Sequence, residues 1–194
     1  MLRHSDFKLL RVNHVCPSWF CWSFDNFLRK LVHNPDCILS SYINKGYYVA
    51  DIGCGKGYFS IPMAKMVGKD GLVVSIDKQK KMLDGVRKRA VSAGVSEQIV
   101  TKLVTNGKIT INNQVDFALS FWMLHEVPDK ERFLQDVFDM IKVGGKYLIV
   151  EPKVHVSHLA YLKSIGIARK IGFSTIEEPP IFMSRAHLME KTSH

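Results

Sequence analysis

Short apolar runs alternate along most of the chain with stretches whose apolar residues recur at helical spacing. The first run, YYVADIG at 47–53, ends in a glycine cluster and is followed by FSIPMAKMV at 59–67, which has helical spacing. GLVVSID at 71–77 is a second apolar run. Because buried strands are short and apolar throughout, whereas amphipathic helices repeat every three to four residues, this order predicts a strand, a helix and a strand.

The same alternation continues further along the chain. A second predicted helix, 80–94, places Met82, Val86 and Ala90 on one face and ends at Gly94, a residue type that often follows a helix. Three strand candidates come next, in the order QIVTKLV at 98–104, VDFALSF at 115–121 and KYLIVEP at 146–152. The pattern is typical of strands connected by helices.

Another helix is predicted between the fourth and fifth strand candidates. It starts at Pro128, its buried stripe is Leu134, Val137 and Ile141, and the pair Gly144–Gly145 is expected to end it. This helix completes the strand–helix–strand pattern up to the fifth strand.

The C-terminal region adds one more helix and two more strands. Residues 158–172 have helical spacing, and the strand candidates are FSTIEEPPIFM at 173–183 and RAHLMEKT at 185–192. Seven apolar runs that alternate with amphipathic helices indicate an α/β fold, with a doubly wound seven-stranded sheet covered by helices on both faces. Residues 1–45 lack a clean strand period, so we interpret them as an N-terminal arm or lid before a domain at 46–194.

Length and charge narrow the class of protein. At 194 residues the chain has room for one core, and 46% hydrophobic residues are typical of a globular protein. The net charge of +9 is spread evenly, with three excess basic residues in each of 1–48, 49–152 and 153–194. An even spread argues against nucleic acid as a partner. No apolar run approaches the roughly 20 residues of a membrane span, so we expect a cytoplasmic protein.

The four cysteines do not form a recognisable framework. Cys16, Cys21, Cys37 and Cys54 are too few and too irregularly spaced for a disulfide scaffold, and no second pair completes a zinc site. Aromatic residues cluster with the first two cysteines at 16–24. This segment either closes over a site as a lid or packs the arm onto the domain, and the sequence leaves both alternatives open.

The glycine cluster is the most informative stretch of the sequence. Its spacing is Asp51-x-Gly53-x-Gly55-x-Gly57, at the carboxyl end of the first predicted strand, where open α/β sheets bind ligands. The dinucleotide fingerprint requires a glycine where this chain has Tyr58, which disfavours a pyrophosphate and a nicotinamide-dependent oxidoreductase. Alternate glycines still let the backbone turn sharply and approach a ligand closely.

Two aspartates indicate what kind of ligand this loop would take. Asp51 lies beside the loop, where its negative charge repels phosphate and attracts a cationic centre such as a sulfonium. Asp77 ends the second predicted strand, twenty residues beyond Gly57, where a carboxylate can accept hydrogen bonds from both hydroxyls of a ribose. The predicted ligand has a ribose and a cationic centre but no phosphate, and S-adenosylmethionine fits this description.

Three stretches of the sequence also resemble a known family. VADIGCGKGYFSIPMA resembles the first motif of class I S-adenosylmethionine-dependent methyltransferases, and VVSIDKQKKML resembles their second-strand acidic motif. SFWMLHEVPDKERFLQDVFDMIKVGGKYLIVEP is similar to the fourth-strand to fifth-strand region of the small-molecule branch that includes the ubiquinone and menaquinone enzymes. The resemblance implies a Rossmann-like, mostly parallel sheet whose last strand is antiparallel, with S-adenosylmethionine as the methyl donor.

The resemblance also implies which residues would hold the cofactor. Asp51 and the glycines would surround its methionine part, and Asp77 would hold its ribose. Asn106 and Gly107 occupy the place where relatives carry an Asp near the adenine amino group, and Phe121 and Trp122 would line the pocket near the methyl group. The full predicted set is Asp51, Gly53, Cys54, Gly55, Gly57, Phe59, Asp77, Lys78, Met82, Asn106, Gly107, Phe121 and Trp122.

Methyl transfer is an in-line displacement at an activated sulfonium, so a dedicated base is optional. The candidate bases are His125, Glu126, Glu151, His155 and His158, and none of them is assigned as catalytic. After the fourth strand, clustered carboxylates are limited to Glu126 and Asp129, so we expect a metal-free reaction. The tetrapeptide 120–123 does not resemble the motif of enzymes that methylate exocyclic base nitrogens.

The sequence therefore predicts a methyltransferase that acts on a small-molecule acceptor. The alternative from another functional class is a protein that binds S-adenosylmethionine without transferring the methyl group, as a sensor or an assembly subunit, because no catalytic side chain is assigned.

Overall fold

The computed structural model of the chain describes residues 32–111 and 113–192. Within these ranges the strands are β1 (Tyr48–Ile52), β2 (Leu72–Asp77), β3 (Ile99–Leu103), β4 (Val115–Phe121), β5 (Ile141–Pro152), β6 (Phe173–Glu177) and β7 (Ser184–Lys191). The helices are α1 (Pro35–Leu39), α2 (Ser60–Val67), α3 (Lys80–Ala93), α4 (Lys130–Met140) and α5 (His158–Ile171), with short 3-10 turns at Ser96–Gln98 and Leu124–Glu126. The aromatic segment 16–24 lies outside the described residues.

All seven strands form one sheet in the order β3-β2-β1-β4-β5-β7-β6. β1 to β5 pair in parallel, and β7 is antiparallel to both β5 and β6. The predicted α/β class, the seven strands and the antiparallel last strand are confirmed. Because β1 lies between β2 and β4, the carboxyl ends of these three strands meet at one edge of the sheet, where α/β folds place their ligands.

Each face of the sheet is covered by its own apolar layer. On one face, Ala50 and Ile52 of β1 lie in a core with α4 and α5. On the other, Val49 packs with α1 and α2, where Leu39 and the following Ile43 are buried. The described part of the predicted arm, from residue 32 to residue 45, therefore contributes apolar residues to this second layer.

The helix predicted to run to Gly144–Gly145 is shorter than expected. α4 ends at Met140, and Ile141 is the first residue of β5, although it is buried as predicted. Ile141 pairs with Val115 at the start of β4, and the register shifts just after this pair. Pairing with β4 gives the backbone of this segment its partners, so the strand begins before the two glycines rather than after them.

The other helix boundaries follow local signals in the sequence. α3 ends at Ala93 and is capped by Gly94, whose φ of +68° is the left-handed conformation that glycine adopts readily. The side chain of Asp129 accepts a hydrogen bond from the Arg132 N–H at the start of α4, which is a standard helix cap. Among the residues that the structure describes, no helix is long and apolar enough to cross a membrane.

A buried hydroxyl pair joins β4 to β5 and gives a test of the fold. The Ser120 and Tyr147 hydroxyl oxygens lie 2.8 Å apart, and both residues are fully buried. Tyr147→Phe removes one hydroxyl and leaves the other without this partner, so we expect a loss of about 1–3 kcal/mol in the free energy of unfolding. Denaturant unfolding measures it. The double variant Tyr147→Phe/Ser120→Ala should cost less than the sum of the two single variants; strict additivity would contradict this reading.

Candidate functional site

A cavity of about 520 Å³ opens at the carboxyl edge of β1, β2 and β4. Its size lies within the range of small-molecule and cofactor sites. The glycine loop after β1 forms one wall, and the end of β2 with the start of α3 forms the next. Residues 104–109 and the residues that follow β4 complete it.

The structure brings almost all of the predicted cofactor residues to this cavity. Those on its walls are Asp51, Gly53, Cys54, Gly55, Phe59, Asp77, Lys78, Met82, Asn106, Gly107, Phe121 and Trp122. Gly57 is not among the lining residues. A Cβ atom at Gly57 would lie 3.3 Å from Val86 of α3, so this glycine serves helix packing beneath the loop. That the lining residues bind the cofactor stays a prediction.

The carboxylate of Asp77 holds the glycine loop in place. Its Oδ2 accepts a hydrogen bond from the Gly55 N–H at 3.0 Å, and its Oδ1 accepts one from the Gln79 N–H at 2.8 Å. Burial raises the pKa of Asp77, and these two hydrogen bonds oppose the rise. The side chain is 8% exposed and still lies on the cavity wall, so it keeps acceptor capacity for a ligand.

Asp51 at the end of β1 and Cys54 in the glycine loop are both buried. Asp51 accepts a hydrogen bond from the hydroxyl of Ser60, the first residue of α2. Burial raises the pKa of the Cys54 thiol well above its usual value, and the carboxylates of Asp51 and Asp77 raise it further. Cys54 is therefore a neutral thiol and not a nucleophile at ordinary pH. Cys37 is exposed on α1, away from the cavity wall.

Two glycines of the loop occupy different surroundings. Gly53 has φ +71°, and a Cβ atom there would lie 2.8 Å from Cγ of Met123. Gly55 has φ +52°, and a Cβ atom there would meet nothing within 4 Å. The space above Gly55 is open to the cavity, whereas the space above Gly53 is filled by a neighbouring side chain.

Aromatic side chains form one wall of the cavity. The ring of Phe121 lies 4.6 Å from that of Phe59 and 5.6 Å from that of Trp122, measured between centroids. Trp122 has φ +58°, a conformation that non-glycine residues rarely adopt and that is often found at functional sites. Its indole N–H donates to the Ser184 hydroxyl at 2.9 Å, which links this wall to β7.

His33 supports the same wall from behind. Its ring lies edge-on to Phe121 and Trp122, with centroids 5.1 and 5.0 Å away. Its Nε2 donates to the carbonyl oxygen of Phe182 at 2.9 Å, and its own carbonyl oxygen accepts from the Tyr58 hydroxyl at 3.0 Å. His33, two residues before α1, thus connects the end of the glycine loop, the end of β4 and the loop before β7.

Asn106 and Gly107 form a tight turn at the rim of the cavity. Both have positive φ, and the flanking residues Thr105 and Lys108 form an isolated bridge. The N–H of Ile109, which also lines the cavity, donates to Asp136 of α4 at 2.9 Å. An amide side chain is therefore present where the resemblance placed it, on an exposed turn held by α4.

The candidate bases do not converge on one point. Glu126 lines the cavity and pairs with Lys78 at 3.4 Å. Glu151 is buried and holds His125, while His155 and His158 are exposed; none of these four lines the cavity. Across residues 32–111 and 113–192, no group of three or more His, Cys, Asp or Glu is placed to hold a metal ion. The metal-free reaction stays a prediction.

One wall of the cavity lies outside the predicted cofactor set. It is formed by residues that continue from the end of β4 into α4, namely Met123, Glu126, Val127, Pro128, Asp129, Arg132 and Phe133. Their position after a central strand at the ligand-binding edge of the sheet was the available signal.

Comparison with known proteins agrees with this geometry. The sequence profile described as a methyltransferase domain matches residues 43–171, about two thirds of the chain. The chain belongs to the methyltransferase domain family. The expected resemblance to class I methyltransferases is confirmed.

Two curated relatives cover most of this methyltransferase domain. The ubiquinone/menaquinone biosynthesis C-methyltransferase UbiE of Blochmanniella floridana is 30% identical over 142 residues, which are 70% of this chain and 55% of the relative. The ubiquinone biosynthesis O-methyltransferase of Shewanella halifaxensis is 30% identical over 144 residues, 71% of this chain and 58% of the relative. The chain thus spans little more than half the length of these relatives.

A solved structure supports the fold of the methyltransferase domain. The S-adenosylmethionine-dependent methyltransferase from Aquifex aeolicus superposes with a TM-score of 0.81 at 19% identity, covering 91% of this chain and 99% of that one. At this identity the likeness concerns the fold.

The residues present fit the methyl donor. The open space above Gly55 lets a ligand approach the backbone, and a Cβ atom would intrude on it. Asp77 supplies carboxylate oxygens suited to ribose hydroxyls. Aromatic faces and nearby carboxylates suit a cationic centre better than a phosphate.

The two glycines of the loop give a matched pair of variants. Gly53→Ala should lower the free energy of unfolding by about 1–3 kcal/mol, because it combines an unfavourable φ with a clash against Met123. Gly55→Ala should cost about 1 kcal/mol, from the backbone alone. Denaturant unfolding measures both. Adding Met123→Ala should recover part of the loss in the first variant only; equal costs for the two glycines would refute the clash.

Proposed function

We propose that this domain transfers a methyl group from S-adenosylmethionine to a small-molecule acceptor by in-line displacement, without a metal. The observation that carries the proposal is the cavity, which joins the Asp77-held glycine loop to an aromatic wall at the carboxyl edge of the sheet. The same cavity offers a place for a nucleoside, and next to it a surface for an apolar acceptor.

The residues of the chain divide the work of binding. Asp77 would accept the ribose hydroxyls, and the backbone at Gly53 and Gly55 would lie against the methionine part. Asn106 and Gly107 would cover the adenine at the rim of the cavity. Phe121 and Trp122 would lie on the side where the acceptor enters.

When bound, the cofactor supplies an electrophilic methyl group on a sulfonium. The task left to the protein is to align the acceptor with that methyl group and to exclude water. Phe59, Phe121 and Trp122 suit this task, because they present apolar surface and pack on one another. Trp122 is also held by Ser184 and His33. A thiol, amine or carbanion acceptor can attack with little help from a base, and none of the side chains is assigned that role.

The names of the relatives support a small-molecule acceptor. One relative is named as a C-methyltransferase and the other as an O-methyltransferase of ubiquinone biosynthesis, so the acceptor atom differs between them. The even charge distribution favours a small molecule over nucleic acid. A cytoplasmic location is part of the same proposal and is supported by the globular composition.

The function is tested by binding and transfer measured together. Calorimetric titration with S-adenosylhomocysteine and with NAD separates a methyltransferase from an oxidoreductase, and binding of NAD alone would reject the proposal. Transfer of a labelled methyl group is then screened against quinols, thiols, amines and tRNA, with and without a chelator. Tight binding of S-adenosylhomocysteine without transfer to any acceptor would favour a sensor or assembly subunit.

The N-terminal arm, residues 1–45, is proposed to lie on the acceptor side. The support is His33, which contacts the aromatic wall through Phe121 and Trp122. Deleting residues 1–24 should keep S-adenosylhomocysteine affinity within about tenfold and abolish transfer, because the acceptor would no longer be aligned and dehydrated. Affinity and the melting curve are measured side by side. Loss of the cooperative melt would instead assign the arm to stability.

Asp77 is the residue whose loss should affect cofactor binding most directly. Asp77→Ala should weaken S-adenosylhomocysteine binding by about 1.5–3 kcal/mol, because it removes the ribose acceptor and releases Gly55. Asp84→Ala is the matched control, since Asp84 lies nearby on α3 and pairs with the exposed cations Lys80 and Arg87. Its affinity should stay within about twofold of the wild type. Calorimetry that finds the two variants equal would remove Asp77 from the site.

A further inference from the structure

The segment Met123–Asp129, here called the β4 wall, forms one side of the cavity. Of its residues, Met123, Glu126, Val127, Pro128 and Asp129 line the cavity directly. The segment contains only one short 3-10 turn, so few hydrogen bonds within the segment fix its shape. Contacts with other elements must hold it in position.

The main contact comes from β5. Glu151 is 2% exposed, and its Oε1 accepts a hydrogen bond from the Leu124 N–H at 3.0 Å. Its Oε2 accepts from the His125 N–H and from His125 Nδ1, both at 2.9 Å. A buried carboxylate is stable only when its oxygens are satisfied, so the charge of Glu151 and the shape of the turn depend on each other.

The other side of the β4 wall touches the remaining parts of the cavity. Met123 fills the space above Gly53, and Glu126 pairs with Lys78 at the end of β2 at 3.4 Å. A displacement of the wall would therefore change the glycine loop and the β2 side of the cavity together. Glu151 does not line the cavity. Through this turn it is connected to the β4 wall, the glycine loop and the β2 side of the cavity.

We propose that Glu151 and His125 are positioning residues for the cofactor, which act by holding the β4 wall against the cavity and so set the affinity for the cofactor and its dependence on pH. The proposal rests on the proposed function, since it takes S-adenosylmethionine as the ligand. His125 and Glu151 act through the wall and not by contact with the reacting atoms, because neither lines the cavity.

The charges that face His125 determine the direction of the pH effect. They are Glu151 from β5, Glu126 on the same turn and Lys130 at the start of α4. The hydrogen bond to Glu151 raises the pKa of His125, partial burial opposes the rise, and the attraction to both carboxylates adds to it. A raised pKa means that the assembled wall favours protonated His125. This stabilisation is fully present below the ordinary pKa of histidine and is lost as pH rises through the raised pKa.

The cofactor would bind against the assembled β4 wall, which lines the cavity and favours protonated His125. Cofactor binding and His125 protonation should therefore favour each other, since linkage between two sites is reciprocal. Calorimetric titration with S-adenosylhomocysteine from about pH 6 to about pH 8.5 covers the range of histidine. We expect the affinity of the wild-type protein to fall by about fivefold across this range, the lower end of usual coupling. His125→Asn keeps an amide donor for Glu151 but does not titrate. The affinity of this variant for S-adenosylhomocysteine should therefore not decrease in this way as the pH rises.

His155→Asn is the matched control. His155 is exposed and does not line the cavity. The affinity of the His155→Asn variant should therefore depend on pH as that of the wild-type protein does. Titration of the ligand itself is common to all variants, so it cancels when the His125 and His155 variants are compared. A His125→Asn protein with the wild-type slope would overturn the proposal.

Glu151→Gln tests the other half of the pair. The amide cannot accept from all three donors and carries no charge to favour protonated His125. Affinity at about pH 6 should therefore fall by about tenfold and its dependence on pH should weaken, while the melt stays cooperative. If this variant does not fold, the result for His125→Asn decides. Unchanged affinity in both variants would reject the positioning role and leave the proposed function intact, whereas absence of S-adenosylhomocysteine binding by the wild-type protein would reject both.

Discussion

The cavity depends on one buried carboxylate between two backbone N–H groups. Asp77 at the end of β2 accepts from Gly55 in the loop after β1 and from Gln79 just before α3. One carboxylate therefore connects the segments that follow the neighbouring strands β1 and β2, at the edge of the sheet where both strands end. The loop can contain glycines with positive φ and still keep a single shape, because an external acceptor fixes its direction. A ligand would meet a surface that is already formed, which lowers the ordering cost of binding.

Much of the fold could be predicted because its signals are local. The apolar runs and the helix-ending Gly94 depend on residues close in sequence, and they predicted the strands and the end of α3 correctly. Ile141 was assigned to a helix because its spacing from Leu134 and Val137 fits one. Its pairing with Val115, 26 positions earlier, decided the conformation instead, and spacing carries no information about such a partner.

The candidate site could likewise be predicted where its residues form a local motif, but not where contacts between distant segments position it. Asp51, Gly53, Gly55 and Asp77 belong to a short pattern with its own spacing, whereas Gly57 fits that pattern and serves helix packing against Val86. The β4 wall carries no comparable motif. Its position depends on Glu151, a residue that follows it in sequence on another strand. Contacts of this kind appear only when the sheet is assembled.

The supports of the aromatic wall have a consequence for how such a protein can diversify. Trp122 is held by Ser184 and His33, and His33 in turn is held by Phe182. These three supporting residues lie outside residues 43–171, the portion shared with the family profile, while Asp77 and the glycine loop lie inside it. On the proposed function, changes at the two ends of the chain would reshape the acceptor side and leave the nucleoside side unchanged. A single domain could serve different acceptors in this way without rebuilding its cofactor half.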